Sequence, residues 1–240
     1  MIKKAVIVAA GLSSRLYPLT KDKPKGLLPF HNTTILERSV QMIRNLGISE
    51  IAIVVGYLKE QMLETFDESV TYIENKRYEQ TNNMYSLTLA QDFVKNDSFL
   101  YLHGDIVYSE QDLSAFVNQQ EASIYDASLL VGYGEVDEES MKVRVTNERL
   151  LIESNKLIPV QESAGEWIGA AVFSNSEAVF NEMQNLVSTG HEQDYDTLAL
   201  SNLTKEGYTV LCYPTTGPWI EIDFVSDYEK AKVLFSHEDI

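Results

Sequence analysis

Cysteine is almost absent from this chain of 240 residues. The single cysteine, Cys212, rules out an internal disulfide bond and any metal site built on several cysteines. It lies in the apolar run VLCY at positions 210–213, which is typical of a buried strand. We therefore expect a buried thiol there and not a nucleophile.

Long apolar runs are absent as well. No stretch reaches the roughly 18 apolar residues that a membrane helix needs, and the first apolar stretch is short and lacks a cleavage-like end. We expect a cytoplasmic protein without a membrane partner. With 44% hydrophobic residues the chain can bury a large core, which predicts a single domain over residues 1–240 with a hairpin insertion at about 133–170.

Positive charge is scarce, because 19 lysines and arginines face 36 acidic residues and the net charge is -17. Such a charge repels polyanions, so no nucleic-acid partner is expected. Nevertheless, a cluster of basic residues lies within the first 25 positions: Lys3, Lys4, Arg15, Lys21, Lys23 and Lys25. This local concentration suits the binding of a nucleoside triphosphate, together with a divalent cation.

The chain is organised around residues 5–26, AVIVAAGLSSRLYPLTKDKPKG. An apolar strand ends in small residues that let a ligand approach the backbone: Ala9, Ala10 and Gly11. Two prolines hold the following loop extended, with Arg15 near one end and Lys25 near the other. Fixed cations beside a glycine turn suit a polyphosphate, although an ordinary first strand with a basic surface loop is the alternative.

This segment resembles the signature of the nucleotidyltransferases that activate small phosphates and sugar phosphates, which runs approximately AAGxGxRLxPxTxxxPK. One fixed position differs, since Ser13 stands where the family usually has its second glycine. Serine is small, so we expect the site to tolerate it. The resemblance implies that Gly11 and the amides near Leu12 and Ser13 bind the base and phosphates. It also implies that Arg15 and Lys25 hold the triphosphate and the reacting phosphoryl group.

Strands alternate with helices along most of the chain, which predicts an α/β, Rossmann-like, doubly wound and mostly parallel sheet. Predicted strands cover 51–55, 70–73, 99–102, 127–131 and 210–213, and predicted helices cover 35–46, 59–66, 109–119, 176–187, 197–205 and 226–235. Short segments at 141–146, 150–154 and 158–161 predict a small antiparallel hairpin lobe over the active site.

Two aspartates are candidate ligands of magnesium (Mg²⁺). Asp105 follows an apolar strand, and the carboxyl ends of strands are where doubly wound sheets bind ligands. The resemblance implies that the HGD motif, which contains Asp105, takes the place of the family's metal-binding GD motif. The WIEID motif, which ends at Asp223, resembles the second metal-binding motif of the family. A plain turn at Asp105 and a helix cap at Asp223 are the alternatives.

The word NNMYSL at 82–87 resembles a segment that borders the nucleotide site of bacterial phosphocholine cytidylyltransferases. One asparagine of the pair can cap the following helix while the other, or Ser86, faces the ligand. We assign Asn82, Asn83 and Ser86 to nucleotide or substrate positioning. Simple capping of the helix is the alternative.

The resemblance implies transfer of CMP from CTP to a small phosphate or phosphonate, phosphocholine or 2-aminoethylphosphonate, with release of pyrophosphate. Aromatic rings, acids and lysines are candidate contacts of this acceptor: Tyr85, Lys142, Lys156, Glu166, Tyr195, Trp219 and Glu221. A sugar-1-phosphate uridylyl- or thymidylyltransferase and a non-catalytic nucleotide-sensing module are the alternatives. Compact members of such families often dimerise, which makes a homodimer a candidate assembly, although the sequence itself does not reveal the oligomeric state.

Overall fold

Strand β1, the mostly apolar segment KAVIVA, is an interior strand of the main sheet, with a parallel neighbour on each edge and buried residues on both faces. The computed structural model describes residues 2–66, 68–120 and 124–237. Its strands are β1 Lys4–Ala9, β2 Pro29–Phe30, β3 Thr33–Thr34, β4 Glu50–Val55, β5 Val70–Glu74, β6 Phe99–His103, β7 Ile106–Tyr108, β8 Ala127–Tyr133, β9 Lys142–Val145, β10 Leu151–Ser154, β11 Gly165–Phe173, β12 Val210–Pro214 and β13 Trp219–Glu221.

The helices cover both faces of the main sheet. They are α1 Ile35–Asn45, α2 Lys59–Leu63, α3 Asn83–Thr88, α4 Gln91–Val94, α5 Glu110–Gln120, α6 Ser176–Ser188, α7 Thr197–Lys205 and α8 Val225–Leu234. Apolar side chains of α3, α6 and α7 pack with Val6 on one face, while those of α1 and α5 pack with Ala5 and Ile7 on the other. Alternate residues of β1 therefore enter two cores, as a doubly wound sheet requires.

The first half of the main sheet is parallel. Strand β1 pairs with β4 and β6, and β5 pairs with β4, all in parallel. Strand β11 then runs antiparallel to β6 and to β8, and β12 returns parallel to β8. The predicted α/β class and doubly wound architecture are confirmed.

The hairpin of β9 and β10 continues this sheet and does not form a separate layer. Residues 170–173 of β11 pair with β6, whereas Gly165 and Glu166 pair with β9 on the same edge. Strand β9 thus begins where β6 ends, on the carboxyl side of the parallel strands. Between the two pairings β11 is irregular, and Gly169 adopts a φ of +68°.

Two predicted segments differ from the structure. The third hairpin strand, predicted at 158–161, is instead a 3-10 turn over Val160–Glu162. Pro159 precedes this turn and has no N–H to donate to a strand ladder. Helix α2 ends at Leu63, earlier than predicted. No helix within the described ranges combines the length and apolar character needed to cross a bilayer.

Candidate active site

A cleft of about 370 Å³ opens at the carboxyl ends of β1 and β6. The loop after β1, the ends of β6 and β13, the segments that flank the β9–β10 hairpin and the segment before α7 all contribute to its lining. Crevices at this edge of a doubly wound sheet are where such folds bind ligands. The sequence-predicted residues that line it are Ala9, Ala10, Gly11, Ser13, Arg15, Lys25, Asn82, Asn83, Ser86, Asp105, Lys156, Glu166, Tyr195, Trp219, Glu221 and Asp223.

The loop after β1 takes a sharp turn at Ser13, whose φ of 52° and ψ of 40° are left-handed. Glycine adopts this conformation most easily, which explains why the signature has glycine at this place. The buried Thr20 donates its hydroxyl at 2.7 Å to the Ser13 carbonyl and so stabilises the turn. Leu12 was predicted to belong to the binding loop, but it lies outside the cleft lining.

Lys25 is a buried cation at the floor of the cleft. Its Nζ donates at 2.7 Å to the Ile222 carbonyl and at 3.1 Å to Asp105 Oδ2, and it lies 3.5 Å from Asp223 Oδ1. Burial by itself would lower the pKa of Lys25, but the two carboxylates outweigh burial and raise it. Lys25 is therefore a fixed positive charge at neutral pH.

Three carboxylates surround this cation: those of Asp105, Glu221 and Asp223. One oxygen from each lies within 4.8 Å of the others. Arg15, whose side chain is half exposed, binds Asp223 Oδ2 at 2.9 Å. The prediction that Asp105 and Asp223 meet is consistent with this geometry, and Glu221, predicted at the acceptor, lies beside them. A cluster of carboxylate oxygens is the ligand chemistry that a divalent cation such as Mg²⁺ prefers, so these residues fit a metal.

Electrostatics within the cluster differ from residue to residue. Burial, followed by the nearby charges of Asp105 and Asp223, raises the pKa of Glu221 to about 7. Burial would also raise the pKa of Asp105, but the Lys25 and His103 charges overcome it and lower that pKa. Because the carboxylates repel one another, an added cation has a strong electrostatic reason to bind here.

The asparagine pair connects two walls of the cleft. Asn82 caps α3 by accepting from the Asn83 amide at 2.8 Å, and its own amide group donates to the Gln193 carbonyl at 3.2 Å. Asn83 accepts from the Asp196 amide at 3.2 Å and contacts His103 Nε2 at 3.1 Å. Asn82 therefore caps α3, and both asparagines also line the cleft, so that capping does not exclude the predicted contact with a ligand.

Sequence reasoning missed a buried polar network behind this wall. Asp196 is fully buried, accepts from Tyr101 Oη at 2.7 Å and lies 3.4 Å from His103 Nε2. Burial would lower the pKa of His103, but Asp196 outweighs it and raises that pKa. Nothing in the sequence around Asp196 indicates this role.

Asn75 was also missed. It is buried directly after β5, and its amide group donates at 3.0 Å to Thr81 and to Ser86. The signal was available, because Asn75 ends a parallel strand at the same edge of the sheet as Asp105.

The part of the cleft lined by Glu139, Lys156, Glu166 and Tyr195, here called the far end, combines charges with aromatic rings. Lys156 Nζ lies 5.3 Å from the centre of the Tyr195 ring and 3.6 Å from a Glu139 oxygen. Burial raises the pKa of Glu166, and no ion pair involves this carboxylate within the described residues. Trp167 and Trp219 also line the cleft. This end can therefore contact an anionic group, a cationic group or a ring.

Two residues predicted to contact the acceptor do not reach the cleft. Lys142 is fully buried inside the hairpin, where its ammonium group binds backbone carbonyls. Tyr85 lies under the Arg77 guanidinium, 5.1 Å from ring centre to Cζ. Asn83 and Ser86 share one face of α3 because they are three positions apart, and Tyr85 points to another face. The predicted contacts of Lys142 and Tyr85 with the acceptor are therefore wrong.

The approach to β13 is fixed by Asp112 of α5. Its carboxylate accepts from the amides of Thr216 and Gly217 at 2.8 and 2.7 Å and from the hydroxyl of Thr215. Strand β13 then pairs with β7, which places Glu221 opposite Ile106. This anchor brings the WIEID motif next to Asp105 of the HGD motif, although the two motifs are more than 100 positions apart.

Fold and cleft together define an α/β protein with a charged cleft at the carboxyl ends of its parallel strands, and comparison with known proteins specifies the family. The profile described as nucleotidyl transferase matches residues 4–237. The chain therefore belongs to the nucleotidyl transferase family and is an enzyme of that class, as the sequence motifs indicated.

Individual relatives differ in their substrates. A CTP:phosphoglutamine cytidylyltransferase of Campylobacter jejuni is 30% identical, covering 94% of this chain and 97% of that protein. A UTP–glucose-1-phosphate uridylyltransferase of Haloferax volcanii is 27% identical, covering 98% and 97%. The solved structure of a CTP:phosphocholine cytidylyltransferase from Streptococcus pneumoniae matches with a TM-score of 0.80 at 24% identity, covering 98% of this chain and 100% of that one. This last likeness shows a shared fold.

Proposed function

We propose that the protein is a CTP-dependent cytidylyltransferase that transfers CMP to a small phosphate or phosphonate and releases pyrophosphate. The observation that carries this proposal is the position of Lys25. It ends the loop that matches the triphosphate signature, and it binds Asp105 and lies beside Asp223 at the floor of the cleft. One site thus joins the loop cations to the carboxylate cluster.

The proposed reaction is attack by an acceptor oxygen on the α-phosphorus of the nucleotide. Such a reaction needs positioning and charge neutralisation more than a protein nucleophile. Lys25 provides a buried, fixed positive charge for the reacting phosphoryl group. Arg15, which is half exposed in the cleft and paired with Asp223, provides a second positive charge for the phosphates that leave. A bound Mg²⁺, held by Asp105 and Asp223 with Glu221 beside them, would neutralise charge on the phosphates.

The choice of acceptor rests on the far end of the cleft. Lys156 offers a positive charge and the carboxylate of Glu166 a negative one, with Tyr195 and Trp219 as rings beside them. Phosphocholine and 2-aminoethylphosphonate each carry an anion at one end and a cation at the other, and this arrangement can contact both. The relative that acts on phosphoglutamine adds a third small phosphate as a candidate.

Sugar-1-phosphate uridylyl transfer is the second candidate, because the Haloferax volcanii relative aligns over nearly the whole chain. Its acceptor is uncharged apart from the phosphate. The charged pair of Lys156 and Glu139 and the half-buried carboxylate of Glu166 favour an acceptor with charge at its distal end.

Pyrophosphate release with Mg²⁺ tests the proposal. CTP, UTP, dTTP and ATP are each combined with phosphocholine, 2-aminoethylphosphonate, phosphoglutamine and glucose 1-phosphate. We expect release with CTP and one of the first three acceptors. Asp105→Asn should abolish it, whereas Asp97→Asn, at an exposed carboxylate paired with Lys4 away from the cleft, should not. Release confined to UTP or dTTP with glucose 1-phosphate would refute cytidylyl transfer, and release that survives Asp105→Asn would refute the proposed site.

A further inference from the structure

The side chain of Lys142 is fully buried, yet it forms no ion pair within the described residues. Its Nζ donates instead to three backbone carbonyls: that of Glu138 at 3.0 Å, that of Lys156 at 2.8 Å and that of Ser140 at 3.4 Å. An ammonium group has three protons, so these carbonyls use its full donor capacity. Lys142 therefore ties the loop before β9 to the turn after β10.

The main chain of Lys142 joins the same parts of the cleft wall that carries Glu139, Met141, Lys156 and Glu166, which we call the acceptor wall. Its carbonyl accepts from the Asn155 amide at 3.0 Å, and its position in β9 pairs with Glu166 of β11. The cleft residues contributed by this region each adjoin one of these contacts: Glu139, Met141, Lys156 and Glu166. Lys142 is the point at which three separate pieces of chain are held together.

We propose that Lys142 is a positioning residue that sets the shape of the acceptor wall, and through it the selection of the acceptor. This inference rests on the proposed function. The physical reason for a lysine at a buried place is that the carbonyls of Glu138 and Lys156 need a donor, whereas the carbonyl of Ser140 also accepts from the Lys142 main-chain amide at 2.9 Å. An apolar side chain of the same length would fill the space but leave the Glu138 and Lys156 carbonyls without this donor, and partly buried carbonyls in that state repel one another and move towards water.

Movement of these carbonyls would displace Glu139 and Lys156, because each lies on or beside a bound residue. Displacement of a substrate-positioning group by about 1 Å can change turnover by up to about a hundredfold. The loop after β1 would stay in place, since Ser13 and Lys25 are held by other contacts.

The chain offers a control in Lys4. It too is a buried lysine whose Nζ binds backbone carbonyls, those of Phe93 and Val94 at 2.9 and 3.1 Å, but it also pairs with the exposed Asp97 and lies at the start of β1, away from the cleft. The experiment compares Lys142→Met, Lys142→Arg and Lys4→Met with wild type in the full chain. KM is measured for CTP and for whichever acceptor of the panel wild type uses, and hydrogen-deuterium exchange is measured without ligands.

We expect Lys142→Met to raise the KM of the acceptor by roughly tenfold or more while the KM of CTP changes less than about twofold. Exchange should increase at 138–142 and 154–158 and stay unchanged at residues 9–25. Lys142→Arg, which retains hydrogen-bond donors, should have an acceptor KM closer to that of wild type than Lys142→Met has. Lys4→Met should leave both KM values unchanged.

Equal changes in both KM values, increased exchange throughout the sheet, or the same KM pattern in Lys4→Met would overturn the proposal. If Lys142→Met does not fold, Lys142→Arg decides the proposal. Its bulkier head should displace the neighbouring cleft residues slightly, so it must shift the KM of the acceptor and leave the KM of CTP unchanged. If wild type uses no acceptor of the panel, the proposed function fails, and the exchange pattern still decides whether Lys142 holds the wall.

Discussion

Replacement of Lys25 by methionine tests the electrostatic reasoning about the cleft most directly. The substitution keeps approximately the volume of the side chain and removes the buried cation that binds Asp105 and Asp223. Removal of one partner from a fully buried ion pair costs about 3–5 kcal/mol. Here the cost should be smaller, about 2–3 kcal/mol, because the two aspartates are partly exposed and Arg15 still binds Asp223 at 2.9 Å.

For a chain of this size, a loss of 1 kcal/mol lowers the melting temperature by about 2–4 °C. The Lys25→Met variant should therefore melt about 4–12 °C below wild type when no divalent cation is present. Added Mg²⁺ should recover much of this loss, since a ligand at a hundred times its Kd stabilises by about 2.7 kcal/mol. The recovery should exceed the stabilisation of wild type, in which Lys25 competes for the same carboxylates.

Thermal melts with MgCl₂, at ionic strength held constant with NaCl, measure these shifts. Lys156→Met is the matched control, because it removes a cleft lysine that does not contact the carboxylate cluster. The double variant Asp105→Asn, Asp223→Asn should lose the response to Mg²⁺. A Lys25→Met variant as stable as wild type without Mg²⁺, or one that Mg²⁺ stabilises less than wild type, would refute the reasoning.

Two further predictions concern the residues that support the cleft. Gly169→Ala should lower the free energy of unfolding by about 2–4 kcal/mol in urea melts, because its Cβ would lie 2.7 Å from His103 Nδ1 at a φ of +68°; a change within 0.5 kcal/mol would contradict this. Burial would raise the pKa of Asp112, but hydrogen bonds from Thr215, Gly217 and Thr216 outweigh burial and hold this pKa below 3.8 in the folded state. The stabilisation by Asp112 is therefore complete above pH 3.8 and is lost as the pH falls through the folded pKa. Asp112→Asn should therefore cost about 2 kcal/mol at pH 7 and flatten the acid limb of stability measured below pH 4; an unchanged acid limb would show that the carboxylate is not the group that titrates.

Residues that follow apolar strands were the most predictable part of the site. Asp105 and the loop from Ala9 to Lys25 could be placed because parallel strands bring their carboxyl ends to one edge. The same rule applied to β5 would also have found Asn75. For these residues, a place directly after a parallel strand is enough to predict a place at the carboxyl edge of the sheet.

The hairpin and α3 were less predictable, because there the direction of a side chain decides its role. Lys142 and Lys156 have the same chemistry, and only the paths of two turns place one inside the wall and the other in the cleft. Tyr85 sits among residues that line the cleft and still points away from it. The network around Asp196 depends on contacts between segments about 100 positions apart, which no local pattern encodes.

Both tryptophans of the chain, Trp167 and Trp219, line the cleft, and the sequence contains no others. Light absorbed at wavelengths beyond the reach of the 13 tyrosines is therefore emitted only from the two indole rings that line the cleft. Trp167 is almost completely buried, whereas Trp219 is half-buried, so the two should differ in emission wavelength and in access to a soluble quencher. The unlabelled protein thus carries its own optical probe, and a change in its emission spectrum on addition of a nucleotide would report that the cleft has been filled.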